Sequence, residues 1–232
     1  MKVLIVDDSR IFRNLIETSL KGESQIEIIG SVWNGVKAIE FIGQKKPDVV
    51  TLDLDMPEMD GLETLAEIEK INSGLAKDEQ IGVIMVSALT ERGADVTIKA
   101  LNAGAFDFIT KPSGDDINDN LKSLNQQLKN CFFSWKNRKS EVLQRATSAV
   151  VLPKDTELNC QAQVIAIGIS TGGPKALRDL LPELCKVTTL PILIVQHMPA
   201  QFTKSLAESI DRCCSYDAKE AESGEEVVGK KV

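Results

Sequence analysis

The sequence predicts an α/β protein: a five-stranded parallel (βα)5 unit followed by a second, smaller α/β unit. Three observations carry this expectation. Short runs rich in Val and Ile alternate with helix-period stretches from the first residues onward. The runs are almost continuously apolar, as strands covered by helices on both faces must be. A stretch without either rhythm then separates five such repeats from two more.

In order along the chain, Lys2–Val6 reads as a strand, and Ser9 as the N-cap of a helix running to about Leu20. Ile26–Gly30, Asp48–Leu52, Ile81–Val86 and Phe106–Ile109 read as the remaining strands of the first unit. Helices are expected over Gly35–Ile42, Gly61–Ile71 and Glu91–Ala103, and from about Asp115 to Lys129. After the break, Gln163–Ile169 and Leu190–Val195 read as strands, Pro174–Leu184 and Gln201–Arg212 as helices. The expected division is 1–125, a linker over 126–161, and 162–232.

Composition narrows the class. Hydrophobic residues make up 43% and charged residues 26% of the 232, the balance of a globular protein. With 27 basic and 34 acidic residues the net charge is -7, so no counterion-release attraction draws the chain to nucleic acid. The opening apolar run, Val3–Val6, is too short for a signal peptide. Nothing approaches the ~18 apolar residues of a membrane span. A cytoplasmic protein without membrane insertion is expected. The five cysteines form no CxxC pair and, with a single histidine, offer no zinc-site spacing. They are expected to be free thiols.

Five polar residues fall at strand C-termini. Asp7 and Asp8 follow the first strand, Asp53 ends the third, Ser87 ends the fourth and Lys111 follows the fifth. Parallel strands deliver all of them to one rim, where ligands of such sheets gather. Clustered carboxylates need a cation, and oxygen-only ligands suit Mg2+. A carboxylate is also a nucleophile toward phosphorus, and Mg2+ with a lysine would neutralise the transferred oxygens. Singly, paired Asp is often a helix cap and Lys-Pro a turn; five such residues in matching order argue for one site.

Asp7-Asp8, the segment Asp53 to Gly61 (DLDMPEMDG), Ser87-Ala88 and Lys111-Pro112 resemble the receiver domains of two-component response regulators, over about residues 1–125. The resemblance implies a flavodoxin-like fold and phosphorylation of Asp53 by a histidine kinase. It implies that Asp8, Asp53 and the backbone carbonyl of Asp55 ligate Mg2+, with Asp7 placing a water. Ser87 would hydrogen-bond the phosphoryl group, Lys111 would pair with it, and Phe108 would stand at the switch aromatic position. A cis Lys111–Pro112 bond is expected by the same resemblance.

In the second unit, Gly168-Ile169-Ser170-Thr171-Gly172-Gly173-Pro174 fits G-x-S-x-G between a strand and a helix. The glycines permit a tight turn, and Pro174 suits a first helical turn. The helix N-H groups would favour an oxyanion near Ser170. The only histidine, His197, ends the next strand, so adjacent strands would bring it to Ser170 as a base. Alone, the turn would serve equally as a phosphate-binding or structural loop. No acid ends a strand between serine and histidine, since Asp179 and Glu183 fall inside the helix, so the α/β-hydrolase order is not followed.

The segments Ala166 to Leu177 (AIGISTGGPKAL) and Gln196 to Thr203 (QHMPAQFT) resemble the catalytic domain of chemotaxis protein-glutamate methylesterases, the CheB family, a partial Rossmann-like unit here. That resemblance implies hydrolysis of glutamate methyl esters on methylated chemoreceptors, with glutamine deamidation, and a chemotaxis histidine kinase as partner. Ser170 would be the nucleophile and His197 the base. Thr171 would help position the histidine, with Gly172 and Gly173 supporting the turn. The triad aspartate of the family is expected beyond Val232, and neither Asp211 nor Asp217 takes its place. The alternative is a non-catalytic response regulator that acts by phosphorylation-dependent binding.

Overall fold

The computed structural model of the chain describes residues 1–145 and 162–232. Strands β1 (Lys2–Val6), β2 (Glu27–Val32), β3 (Val49–Asp53), β4 (Gly82–Ser87) and β5 (Asp107–Thr110) alternate with helices α1 (Arg10–Ser19), α2 (Gly35–Gln44), α3 (Gly61–Ser73), α4 (Glu91–Ala103) and α5 (Ile117–Arg145). The strands pair in parallel in the order β2-β1-β3-β4-β5. The chain steps outward from β1 to β2, then crosses back to β3. A crevice therefore opens at the C-terminal ends of β1 and β3.

Alternate residues of the central strands feed two cores. Val3, Ile5, Ile84 and Val86 pack under α1 and α5 against Phe12, Ile16, Leu124 and Phe132. Leu4, Val6, Leu52 and Met85 face the other way, against Ala38, Leu65, Ile68 and Ile98. This is the flavodoxin-like, doubly wound arrangement expected for the first unit. Ser9 starts α1 by accepting the Phe12 N-H at 3.3 Å. Asp60 and Glu63 form a capping box at the start of α3.

Two expectations are corrected. Helix α5 does not end near Lys129 but continues to Arg145, so 126–145, expected as linker, is helical; 146–161 lies outside the described residues. The extension is held by packing: Cys131, Phe132 and Trp135 are buried, and Trp135 Nε1 donates to Asp48 O at 3.1 Å. The Lys111–Pro112 bond is trans, as is every peptide bond among the described residues. An X-Pro bond prefers trans by only ~0.5–1 kcal/mol, so sequence alone does not decide it.

The second unit is smaller. Strands β6 (Ile165–Ile169) and β7 (Ile192–Gln196) pair in parallel, with α6 (Gly173–Val187) between them and α7 (Ala200–Cys213) after. Both helices dock on the first unit. Leu177, Leu181, Leu206 and Ile210 extend the core that includes Ile98 and Leu101 of α4. Hydrogen bonds tie the same faces: Ser205 Oγ to Asp95 Oδ1 at 2.6 Å, Asn102 Nδ2 to Ser209 Oγ at 2.9 Å, and Arg178 to Leu101 O at 2.8 Å.

Candidate functional site

The ends of β1 and β3 bring Asp7, Asp8 and Asp53 together, each offering a carboxylate oxygen within 4.8 Å of the others. Asp7 and Asp53 are buried and Asp8 is exposed. Lys111 Nζ bridges the buried pair, 2.9 Å from Asp7 Oδ2 and 2.9 Å from Asp53 Oδ1. Burial pushes the Asp53 carboxyl up to about 6, and the Asp7 charge adds to this; Lys111 and the Leu54 N-H pull the other way. Burial opposes the Lys111 charge, but Asp53 and Asp7 together hold its ammonium above the ordinary lysine value.

This pocket fits a divalent cation. Three carboxylates face one lysine, and Asp7 Oδ2 has no well-directed hydrogen bond beyond its ion pair. A cleft of about 340 Å³ opens beside them, lined by Asp8, Asp53, Asp55, Thr90 and Lys111. Asp55 is exposed at its rim. Ser87 is buried at the end of β4, its hydroxyl turned to Ala88 O (3.2 Å) and Gly93 O (3.3 Å). Phe108 lies away from this cleft, stacked on Phe202 of α7.

Ser170 leaves the end of β6 and His197 the end of β7. Ser170 Oγ lies 3.2 Å from His197 Nδ1. The His197 N-H donates to Ile169 O at 2.9 Å, extending the strand pairing by one step and fixing where the imidazole starts. Gly172 has φ +73, the left-handed conformation that lets the turn enter α6. Gly173 is required for a different reason: a Cβ there would lie 2.0 Å from the Gln196 amide oxygen.

Gln196 and Asp107 are site residues that the sequence reading missed. Gln196 Nε2 donates to Ser170 O at 3.0 Å and His197 O at 3.2 Å, bracing both turns from between them. Asp107, on the receiver, accepts the Gly172 N-H at 2.7 Å. Each carried a faint signal, a polar residue beside the histidine and an acid inside an apolar strand. Thr171 lines the cleft, but among the described residues its hydroxyl makes no hydrogen bond to His197. Nor does any carboxylate there: Asp211 Oδ1 accepts the Ala218 N-H at 2.9 Å, and the Asp217 carbonyl accepts the Val232 N-H at 3.0 Å. The cleft over the pair, about 410 Å³, has Ser170, His197 and Met198 on one side and Asp107, Thr110 and Gln127 of the receiver on the other.

Residues 3–123, more than half of the chain, match the family model described as the response regulator receiver domain. The chain belongs to the response regulators. Residues 165–232 of this response regulator match the CheB methylesterase model, so receiver and methylesterase regions follow one another in a CheB-type order. A protein-glutamate methylesterase/protein-glutamine glutaminase of Bacillus subtilis is 42% identical over 236 residues, covering 97% of this chain and 64% of its own. One from Halalkalibacterium halodurans is 40% identical over 225 residues, covering 97% and 63%. The crystal structure of the response regulator domain of Thermotoga maritima CheB is 36% identical, with a TM-score of 0.47, over 56% of this chain and 94% of that one. This response regulator thus spans less than two thirds of the length of the curated relatives named here.

Proposed function

We propose that this response regulator carries the switch and the nucleophile of a protein-glutamate methylesterase/glutaminase, with phosphorylation of Asp53 controlling access to Ser170 and His197. The observation that carries the reading is the 3.2 Å Ser170 Oγ to His197 Nδ1 pair, set in a cleft whose facing wall is the receiver. The substrates are methylated chemoreceptors, and the phosphodonor is a chemotaxis histidine kinase in the cytoplasm. Among the described residues no helix is long and apolar enough to cross a membrane.

Ser170 attacks the carbonyl carbon of a glutamate γ-methyl ester while His197 Nδ1 takes its proton. The imidazolium returns that proton to the departing methanol. Water, activated by the same nitrogen, then releases the glutamate from Ser170. A glutamine side chain follows the same path with ammonia leaving. Gln196 holds both backbone turns still through these steps, and the positive end of the α6 dipole, just after Ser170, would favour the developing oxyanion.

In the receiver, Asp53 attacks a phosphohistidine and becomes an aspartyl phosphate. Asp8, Asp53 and the Asp55 carbonyl would hold Mg2+, with Asp7 reaching it through water. Once bound, the ion neutralises phosphoryl oxygens. Lys111 is placed to pair with the same oxygens, and Ser87 turns its hydroxyl from Ala88 O and Gly93 O toward the phosphoryl group. Phe108 then leaves Phe202, which frees the cleft.

Methanol release from methylated receptors, with acetyl phosphate and Mg2+ present, tests the reading. Release that is lost in Ser170→Ala is the expected result. A folded chain that releases none in either form overturns it. Phosphorylation-dependent binding without hydrolysis then becomes the function, a reading favoured by the absence of a carboxylate on His197 among the described residues.

A further inference from the structure

The contact between Asp107 and Gly172 joins the receiver directly to the nucleophile turn. Asp107 opens β5, the edge strand nearest the second unit, and its side chain is only 5% exposed. Oδ2 accepts the Gly172 N-H at 2.7 Å, Oδ1 accepts the Phe108 N-H at 2.9 Å, and the Cys131 thiol lies 3.9 Å from Oδ2. Gly172 is the N-cap of α6 and has no side chain to serve the helix. The N-H of the N-cap residue itself is instead held by a carboxylate from another unit of the chain, close to the positive end of the helix dipole.

That choice of residue is costly. Asp107 faces Cys131 from α5 and the Gly172 amide from the α6 turn, with His197 of the second unit lining the same cleft. Among the described residues no cation pairs with it, and burial raises its carboxyl to about 6. An amide would cap the turn without a buried charge. The charge has a consequence for chemistry. The N-H that it holds is that of Gly172, two residues after Ser170 at the N-terminal end of α6, where added negative charge would oppose an oxyanion.

We propose that Asp107 is a positioning residue that clamps the nucleophile turn in the unphosphorylated state and lets go when the receiver switches. The inference rests on the methylesterase reading above and deepens its regulation. Phe108 provides the release. Its ring stacks on Phe202 while its N-H donates to Asp107, so a shift of this one residue disturbs both contacts. With the clamp shut, α6 offers its first free N-H to a fixed carboxylate, and a negative charge opposes the one that catalysis must create. With it open, both obstacles leave together.

The Gly172 amide proton, followed by NMR in the full chain, reads the clamp without any catalysis. In the resting chain it is expected to exchange slowly and its shift to titrate with a midpoint of about 6, the value to which burial raises Asp107. Loading Asp53 with beryllofluoride and Mg2+ is expected to speed exchange by ~10-fold or more and return the midpoint to the ordinary carboxylate range. Asp107→Asn retains a cap but no charge. It is expected to abolish the titration and to raise fluorophosphonate labelling of Ser170 without beryllofluoride. An exchange rate and midpoint unchanged by beryllofluoride, or labelling unchanged in Asp107→Asn, overturns the proposal. If no form labels Ser170, the hydrolase reading fails, and the Gly172 measurements decide the clamp alone.

Discussion

Phe108 of the receiver and Phe202 of α7 stack with ring centroids 4.6 Å apart and planes inclined by 22°. Phe202 is fully buried, so the stack belongs to the docked interface rather than to a surface. Such pairs add ~0.5–1.5 kcal/mol beyond their buried area. Coupling is reciprocal: if docking opposes the phosphorylated state, weakening the dock must favour that state by the same amount. Phe202→Leu keeps an apolar side chain and removes the stack. It is expected to tighten beryllofluoride binding by ~5-fold, the equivalent of ~1 kcal/mol, in a fluorescence titration. An unchanged affinity would show that the stack carries no signal.

Asp8 is the exposed member of the acidic trio, so replacing its side chain opens no buried cavity, which separates metal binding from folding. Asp8→Ala is expected to retain its thermal midpoint while Mg2+ affinity falls by at least ~10-fold. Phosphorylation by acetyl phosphate, read as intact mass, should then need correspondingly more Mg2+. Equal Mg2+ dependence in both proteins would place the ion elsewhere.

Trp135 fixes the distal half of α5 to the sheet. Its ring covers Gly82, where a Cβ would lie 2.6 Å from it, and meets Phe106 edge-on at 5.1 Å. Trp135→Ala should cost ~3–5 kcal/mol, seen as a lower urea midpoint. A loss under ~1 kcal/mol would mean that the extension contributes little to the fold.

The same helix shows where sequence reading works and where it stops. Leu124, Leu128, Cys131, Phe132 and Trp135 continue one apolar stripe, but Lys129, Lys136 and Arg138 crowd it and hide the continuation. Asp7, Asp8, Asp53 and Lys111 were legible because parallel topology sends every strand end to one rim. Ser170 and His197 were legible for the same reason. Asp107 and Gln196 were not, because their partners are backbone groups: Asp107 reaches a turn far along the chain, and Gln196 reaches one across the paired strands. No periodicity encodes such a contact.

Asp107 also gives the fold a pH dependence of definite sign. Its folded value of about 6 lies above the unfolded value of ~3.9, so the folded chain holds the extra proton between them. The stabilisation is complete below pH ~4 and lost as pH rises to ~6. At 1.36 kcal/mol per unit the loss approaches ~3 kcal/mol. Urea midpoints measured across this window should fall with rising pH more steeply in the parent than in Asp107→Asn. Parallel curves would mean that Asp107 is not buried as a charge.

Gln196 offers the sharpest separation of hydrogen bonding from packing in the serine–histidine pair. Its amide nitrogen serves two carbonyls, Ser170 O and His197 O, while its oxygen is buried without a partner among the described residues. Gln196→Ala removes both bonds and opens space beside Gly173, leaving two solvent-accessible acceptors at ~0.5–1.5 kcal/mol each. Gln196→Met fills the space but donates nothing. If the hydrogen bonds hold the 3.2 Å geometry, both variants should slow fluorophosphonate labelling of Ser170 by ~100-fold, since a displacement near 1 Å has that effect. If packing holds it, Met restores the rate and Ala does not. The first outcome is expected, because one donor spanning both turns ties the nucleophile to its base more directly than any other side chain in the cleft.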